Sequence, residues 1–107
     1  MKRFIRKVAV LGSGVMGSRI ACHYANIGCE VILLDIAPKE LNDLEKKKGA
    51  KLEDKSVRNR IVDSSLQFAL KSNPSPIYSK SFAKRIETGN FDDDLYKIKD
   101  CDWVIEV

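Results

Sequence analysis

KVAVLGSGVMGSRIA, residues 7–21, decides the fold. Its first five residues, Lys7 to Leu11, are a short valine-rich apolar run with flanking charge and read as a buried parallel strand. Gly12, Ser13 and Gly14 interrupt that strand. From Val15 the pattern becomes helical, with Met16, Ile20, Ala21, Tyr24 and Ile27 expected to share one face at 3.6-residue spacing. Gly28 is a natural stop for that helix. Glu30 to Leu34 is a second near-continuous apolar strand, and Asp35 follows it directly.

Gly12-Ser13-Gly14-Val15-Met16-Gly17 fits G-x-G-x-x-G. The pattern is weak alone, but here a strand precedes it, a helix follows, and a second strand ends in an acid. Asp35 lies 18 residues beyond Gly17, close to the roughly 20 this arrangement requires. Gly12 permits the tight turn, Gly14 lets a pyrophosphate approach the backbone, and Gly17 lets helix and sheet pack closely. Amides at the helix start face the phosphates, and the helix dipole favours their charge. Asp35 can accept both hydroxyls of an adenosine ribose and would repel a 2′-phosphate, which favours NAD over NADP. No Gly-Lys-Ser/Thr follows the glycines, so a P-loop is excluded.

Outward from this unit, Pro38 fits the first turn of a new helix, and Lys39 to Asp54 reads as a charged helix, broken by Gly49, then an exposed loop. Ser56 to Lys71 reads as a second helix, capped by Ser56, with Val57, Ile61, Val62, Leu66, Ala69 and Leu70 as its apolar face. Asn73-Pro74-Ser75-Pro76 ends it. Arg85 to Thr88 is a short third strand, Gly89-Asn90 a turn, and Asp92, Asp93 and Asp94 open a short helix running to about Lys99. Trp103 to Ile105 is a fourth strand, read as buried. The order predicts an α/β fold: a Rossmann-type parallel sheet with flanking helices and right-handed crossovers, truncated after the fourth strand. The chain reads as one domain, 1–107, that stops inside a strand and so belongs to a longer protein.

Of the 107 residues 44% are apolar and 32% charged, with net charge +4. That charge is too mild to indicate a nucleic-acid partner. Cys22, Cys29 and Cys101 are odd in number and form no C-x-x-C pair, against a disulfide framework or zinc site. The opening charges lead into no apolar signal segment, and the longest uncharged run, Val8 to Ser18, is far short of the ~20 residues of a membrane helix. A reducing cytoplasmic setting fits, with no membrane partner.

His23 has no local carboxylate partner and reads as structural or solvent-facing. The acidic run at 92–94 reads as a helix-start cap rather than a metal site, and Lys46-Lys47-Lys48 as a solvated helix face. No catalytic residue and no metal ligand is identified.

KVAVLGSGVMGSRIA, the strand ending in Leu34-Asp35, and the closing Asp-Cys-Asp-Trp-Val-Ile-Glu-Val resemble the NAD-binding domain of 3-hydroxyacyl-CoA dehydrogenases, including 3-hydroxybutyryl-CoA dehydrogenases. The resemblance covers almost the whole chain. It implies NAD as cofactor at Gly12, Ser13, Gly14, Val15, Met16, Gly17 and Asp35, with Val107 where the backbone passes the cofactor. It implies reversible oxidation of (S)-3-hydroxyacyl-CoA to 3-ketoacyl-CoA in fatty-acid β-oxidation. The family's catalytic histidine and glutamate lie beyond the fourth strand, and Glu106 is not that glutamate. It further implies coenzyme A contacts at Ser65 and Lys71, a downstream C-terminal dehydrogenase domain and a fused enoyl-CoA hydratase region as in long bacterial forms. Two alternatives stand beside it: a non-catalytic NAD(H)-binding redox sensor, and a dehydrogenase of a small 3-hydroxy acid. Apart from the resemblance, the exposed sheet edge invites a neighbouring copy, hence a homodimer.

Overall fold

A computed structural model describes residues 6–72 and 76–107, with the side chain of Lys80 left aside. The expected helix terminator Asn73-Pro74-Ser75 therefore falls outside the described residues. Four strands form one sheet: β1 (Lys7–Leu11), β2 (Glu30–Asp35), β3 (Ile86–Asn90) and β4 (Trp103–Glu106). They pair in the order β3-β2-β1-β4, all parallel. The order reverses between β1 and β4, so the carboxyl ends of those strands flank the crevice where such sheets bind ligands. This is the Rossmann-type α/β sheet expected from the sequence.

Helix α1 (Val15–Asn26) and helix α4 (Arg60–Leu70) cover the same side of the sheet. Val8, Val10, Val31, Leu33 and Ile86 pack there with Ala21, Cys22, Ala25, Val62 and Leu66. Ala9, Ile32 and Leu34, on the opposite pleat, are also buried. Burying each Val, Leu or Ile stabilises the domain by about 1.5–3 kcal/mol relative to exposure.

The buried stripe of α1 is only partly the face expected: Ala21 is buried, and Ile20 and Tyr24 pack partly buried against the core. Gly17, Ser18, Ala21, Cys22 and Ala25 face the sheet, whereas Met16 and Ile27 are 67% and 62% exposed. The crossing is close enough that small residues win the contact. Met16, Ile20 and Tyr24 also line an open apolar groove with Ile105 of β4.

Five other expectations are corrected. Pro38 starts no helix; α2 (Asp43–Lys48) begins five residues later, because Asn42 and Glu45 form a reciprocal capping box. Ser56 caps nothing: it lies inside α3 (Lys55–Arg58), and Asn59 separates α3 from α4. Asn59 leaves helical geometry because its buried side chain accepts a hydrogen bond from Asn90 Nδ2 at 2.8 Å. Gly89 and Asn90 are not a turn but the end of β3, paired with Leu34 and Asp35. Arg85 stays outside that strand, ending a 3₁₀ stretch, Lys80–Arg85. The short acidic helix α5 (Phe91–Asp94) passes into a 3₁₀ stretch, Leu95–Asp100. Finally β4, expected to be buried, is mostly exposed, because it is an edge strand paired only with β1.

Candidate functional site

The glycine turn sits where β1 hands over to α1. Gly12 N–H donates to Leu34 O at 2.8 Å, continuing the β1–β2 ladder one residue past the strand. On the other side Val107 N–H donates to Leu11 O at 3.0 Å. Gly12 has φ +108°, which favours glycine, and a Cβ there would meet Val107 at 3.4–3.6 Å. Val107 therefore lies directly over the turn.

Gly17 is required by packing. A Cβ at this position would lie 1.8 Å from Gly12 O and 2.8 Å from Gly12 C. Gly14 differs from both. Its backbone (φ −54°, ψ −172°) suits any residue, and a Cβ there would meet nothing within 4 Å. Nothing inside the fold demands glycine at 14; a ligand pressed against its backbone would. The first α-helical bond is Ser18 N–H to Gly14 O at 2.9 Å, so the amides of Val15, Met16 and Gly17 precede the intrahelical ladder. A diphosphate fits this cradle: bare backbone, amides facing outward and the positive end of a 12-residue helix.

The turn is fixed by two contacts that the motif did not announce. Buried Ser18 donates from Oγ to Ser13 O at 2.6 Å, tying the helix back to the loop. Buried Ser13 donates from both its backbone N–H, at 2.9 Å, and its hydroxyl to Asp35 Oδ2. Ile36 N–H donates to Asp35 Oδ1 at 2.7 Å. Burial pushes the Asp35 carboxyl up, but the bonds from Ser13 Oγ, Ile36 N and Ser13 N outweigh it and hold its pKa below the ordinary value. The group is ionised at neutral pH. A carboxylate has about four lone-pair sites, so acceptor capacity remains for ribose hydroxyls.

Ser65 and the glycine turn meet in one cavity of about 320 Å³, between the start of α1 and α4. Lys71 does not line it; this residue is the exposed C-cap of α4. Arg19 and Phe68 do line it, and the sequence reading passed over both.

Of the minor candidates, His23 is exposed and its ring meets Tyr24 edge-on at 5.6 Å. The acidic run is committed to ion pairs: Asp92 and Asp93 with Arg58, and Asp94 with Lys97. Asp93 N–H is also capped by Asn90 Oδ1 at 2.8 Å. Among the described residues no group of three His, Cys, Asp or Glu side chains could hold a metal. No helix among them is long and apolar enough to cross a membrane. Burial raises the pKa of the Cys22 and Cys101 thiols, as expected for inert side chains.

Residues 7–107 match the family model described as "3-hydroxyacyl-CoA dehydrogenase, NAD binding domain". Over all 107 residues the chain is 49% identical to a probable 3-hydroxyacyl-CoA dehydrogenase of Bacillus subtilis, spanning 14% of that protein. It is 42% identical over 102 residues to a probable 3-hydroxyacyl-CoA dehydrogenase of Deinococcus radiodurans, covering 95% of this chain and 25% of that protein. Among solved structures it resembles (S)-3-hydroxybutyryl-CoA dehydrogenase from Ralstonia eutropha, with 30% identity and a TM-score of 0.50, over 97% of this chain and 31% of that one. The chain thus spans a quarter or less of the two curated relatives' length.

Proposed function

From the premise that the chain belongs to the NAD-binding domains of 3-hydroxyacyl-CoA dehydrogenases, we propose that it is the cofactor half of a longer enzyme that interconverts (S)-3-hydroxyacyl-CoA and 3-ketoacyl-CoA. Fatty-acid β-oxidation is the setting that reaction serves. The observation that carries the reading is the glycine whose absent side chain the fold does not require, Gly14, beside an ionised Asp35 already anchored to the turn.

In this reading the outward amides of Val15 and Met16, with the Gly12–Gly17 turn, hold the diphosphate of NAD. Asp35 accepts the adenosine ribose hydroxyls, and Ser13 and Ser18 keep the carboxylate and the loop in register. Val107 borders the path toward the nicotinamide, the group that supplies hydride acceptance when bound. The acid/base comes from a downstream dehydrogenase domain. An open apolar groove between α1 and β4 supports such a partner, with Val15, Met16 and Trp103 exposed at or beside it. The small share of the Bacillus subtilis relative that the chain spans leaves room for both that domain and a fused hydratase region. Packing of Cys22 and Cys29 in the core supports a reducing, cytoplasmic location.

The test is NAD-linked turnover by the full-length protein. (S)-3-hydroxybutyryl-CoA should reduce NAD, whereas free 3-hydroxybutyrate and NADP should do so far more slowly. Equal rates with the free acid would assign the enzyme to small hydroxy acids. Tight NADH binding with no turnover of either substrate would assign it to sensing.

A further inference from the structure

The pattern G-x-G-x-x-G leaves position 13 free, yet Ser13 is fully buried and its side chain is committed. Its hydroxyl donates to Asp35 Oδ2, beside the bond from its own backbone N–H at 2.9 Å. Ile36 N–H donates to the other oxygen, Oδ1, at 2.7 Å. Both oxygens are thus held, and the two main-chain bonds do not depend on the side chain at 13. Among the described residues the serine hydroxyl is the one side-chain donor on Asp35. Asn90, the in-register neighbour of Asp35 on β3, gives its amide to Asn59 and Asp93 instead. Nor does the turn need the hydroxyl for its shape. Gly12 N–H on Leu34 O and Ser18 Oγ on Ser13 O hold it through main-chain acceptors.

We propose that Ser13 is a positioning residue that sets the choice of dinucleotide: its hydroxyl holds the Asp35 carboxylate in place, so that a 2′-phosphate meets a negative charge that cannot swing aside. The inference deepens the NAD reading above and rests on it. An aspartate at a strand end carries its charge on two rotatable bonds, and turning them would relieve repulsion from a second anion. Here that rotation breaks the Ser13 bond and leaves a buried hydroxyl without its acceptor, which costs more than the bond itself contributes. The same contact maintains the charge. Burial raises the Asp35 pKa, the Ser13 hydroxyl is the largest opposing influence, and Ile36 N and Ser13 N add to it; no charged side chain contributes. Without the hydroxyl the carboxyl takes up its proton at a higher pH.

The test is fluorescence titration of the full-length protein with NADH and NADPH. Wild type is compared with Ser13→Ala, Ser13→Gly and Ser18→Ala, with urea denaturation to confirm that each variant is folded. Both Ser13 variants should lower the ratio of NADPH to NADH dissociation constants about tenfold, the equivalent of roughly one hydrogen bond to a charged group. The acid limb of their NADH binding should also move to higher pH. Ser18→Ala loosens the loop but leaves the Asp35 contacts, so it should weaken both dinucleotides alike and keep the ratio within about twofold. Ser13→Ala added to Asp35→Ala should change the ratio no further, because the hydroxyl then has no carboxylate to hold. An unchanged ratio in both Ser13 variants, or the same fall with and without Asp35, would overturn the inference while NAD binding stands. Wild type binding neither dinucleotide, or both equally, would sink the cofactor reading itself and the inference with it.

Discussion

Gly14 and Gly17 lie three residues apart in one motif, and the structure gives them opposite reasons to be glycine. Gly17→Ala places a methyl 1.8 Å from Gly12 O. Overpacking costs about 1–3 kcal/mol where side chains can yield, and here the obstacle is main chain, so the cost lies at or above the top of that range. Helix propensity returns about 1 kcal/mol. The net loss is about 2 kcal/mol or more, a large share of the roughly 5–15 kcal/mol that holds a domain together. Gly14→Ala should be nearly neutral for folding. Alanine at an N-cap is worse than glycine by about 0.5–1 kcal/mol, and the stiffer unfolded chain returns about 0.4–1 kcal/mol. Its methyl, however, projects into the open space where the diphosphate would rest. NADH affinity should fall at least tenfold, about 1.4 kcal/mol. Urea denaturation and an NADH fluorescence titration on both variants separate the two effects. Gly17→Ala should shift the urea midpoint down by about 1 M, and Gly14→Ala should leave it in place while losing the cofactor. A Gly14→Ala protein that binds NADH like wild type, or a Gly17→Ala protein as stable as wild type, would refute the division of roles.

Asp35 has a depressed pKa, so its stabilising contribution is present above its unfolded value of about 3.9 and is lost as pH falls through the lower folded value. The urea midpoint of wild type should therefore drop faster than that of Asp35→Asn below about pH 4; parallel profiles would remove the Ser13 latch from the account. Cys22 and Cys29 are buried and Cys101 half-buried, so a thiol-reactive dye should label Cys101 first in the folded chain and reach all three only in denaturant. Asn59→Ala deprives Asn90, 1% exposed, of an acceptor for its amide and should cost about 1–3 kcal/mol, the usual penalty for a buried donor left unsatisfied.

What could be read from sequence alone follows from how far each constraint reaches along the chain. The β1–turn–α1 unit was readable because its demands are local: the φ of Gly12 and the Gly17–Gly12 contact involve residues within one turn of each other. Asp35 was readable because a strand end fixes its place beside that turn. The break at Asn59 was not, because its partner Asn90 is 31 residues away and only the folded sheet brings the two together. Strand β3 was read at Arg85 to Thr88 but not to its end: Gly89 looks like a turn residue, yet it pairs with Leu34, 55 residues away, and is glycine because a Cβ there would lie 2.5 Å from Asp94 Oδ2 and 2.8 Å from Leu34 Cδ2.

The face of α1 was only partly legible for a related reason. Periodicity ranks positions by hydrophobic size, but a helix crossing a sheet at close range buries whatever is small, here Gly17, Ala21 and Ala25 at successive four-residue steps. Of the large residues that periodicity selected, Ile20 and Tyr24 pack partly buried at the edge of the core, and with the exposed Met16 they line the groove against β4. That displacement has a functional consequence. By burying its small stripe, α1 leaves Arg19 exposed beside the glycine turn, so one packing decision sets both the apolar groove against β4 and the placement of that cation.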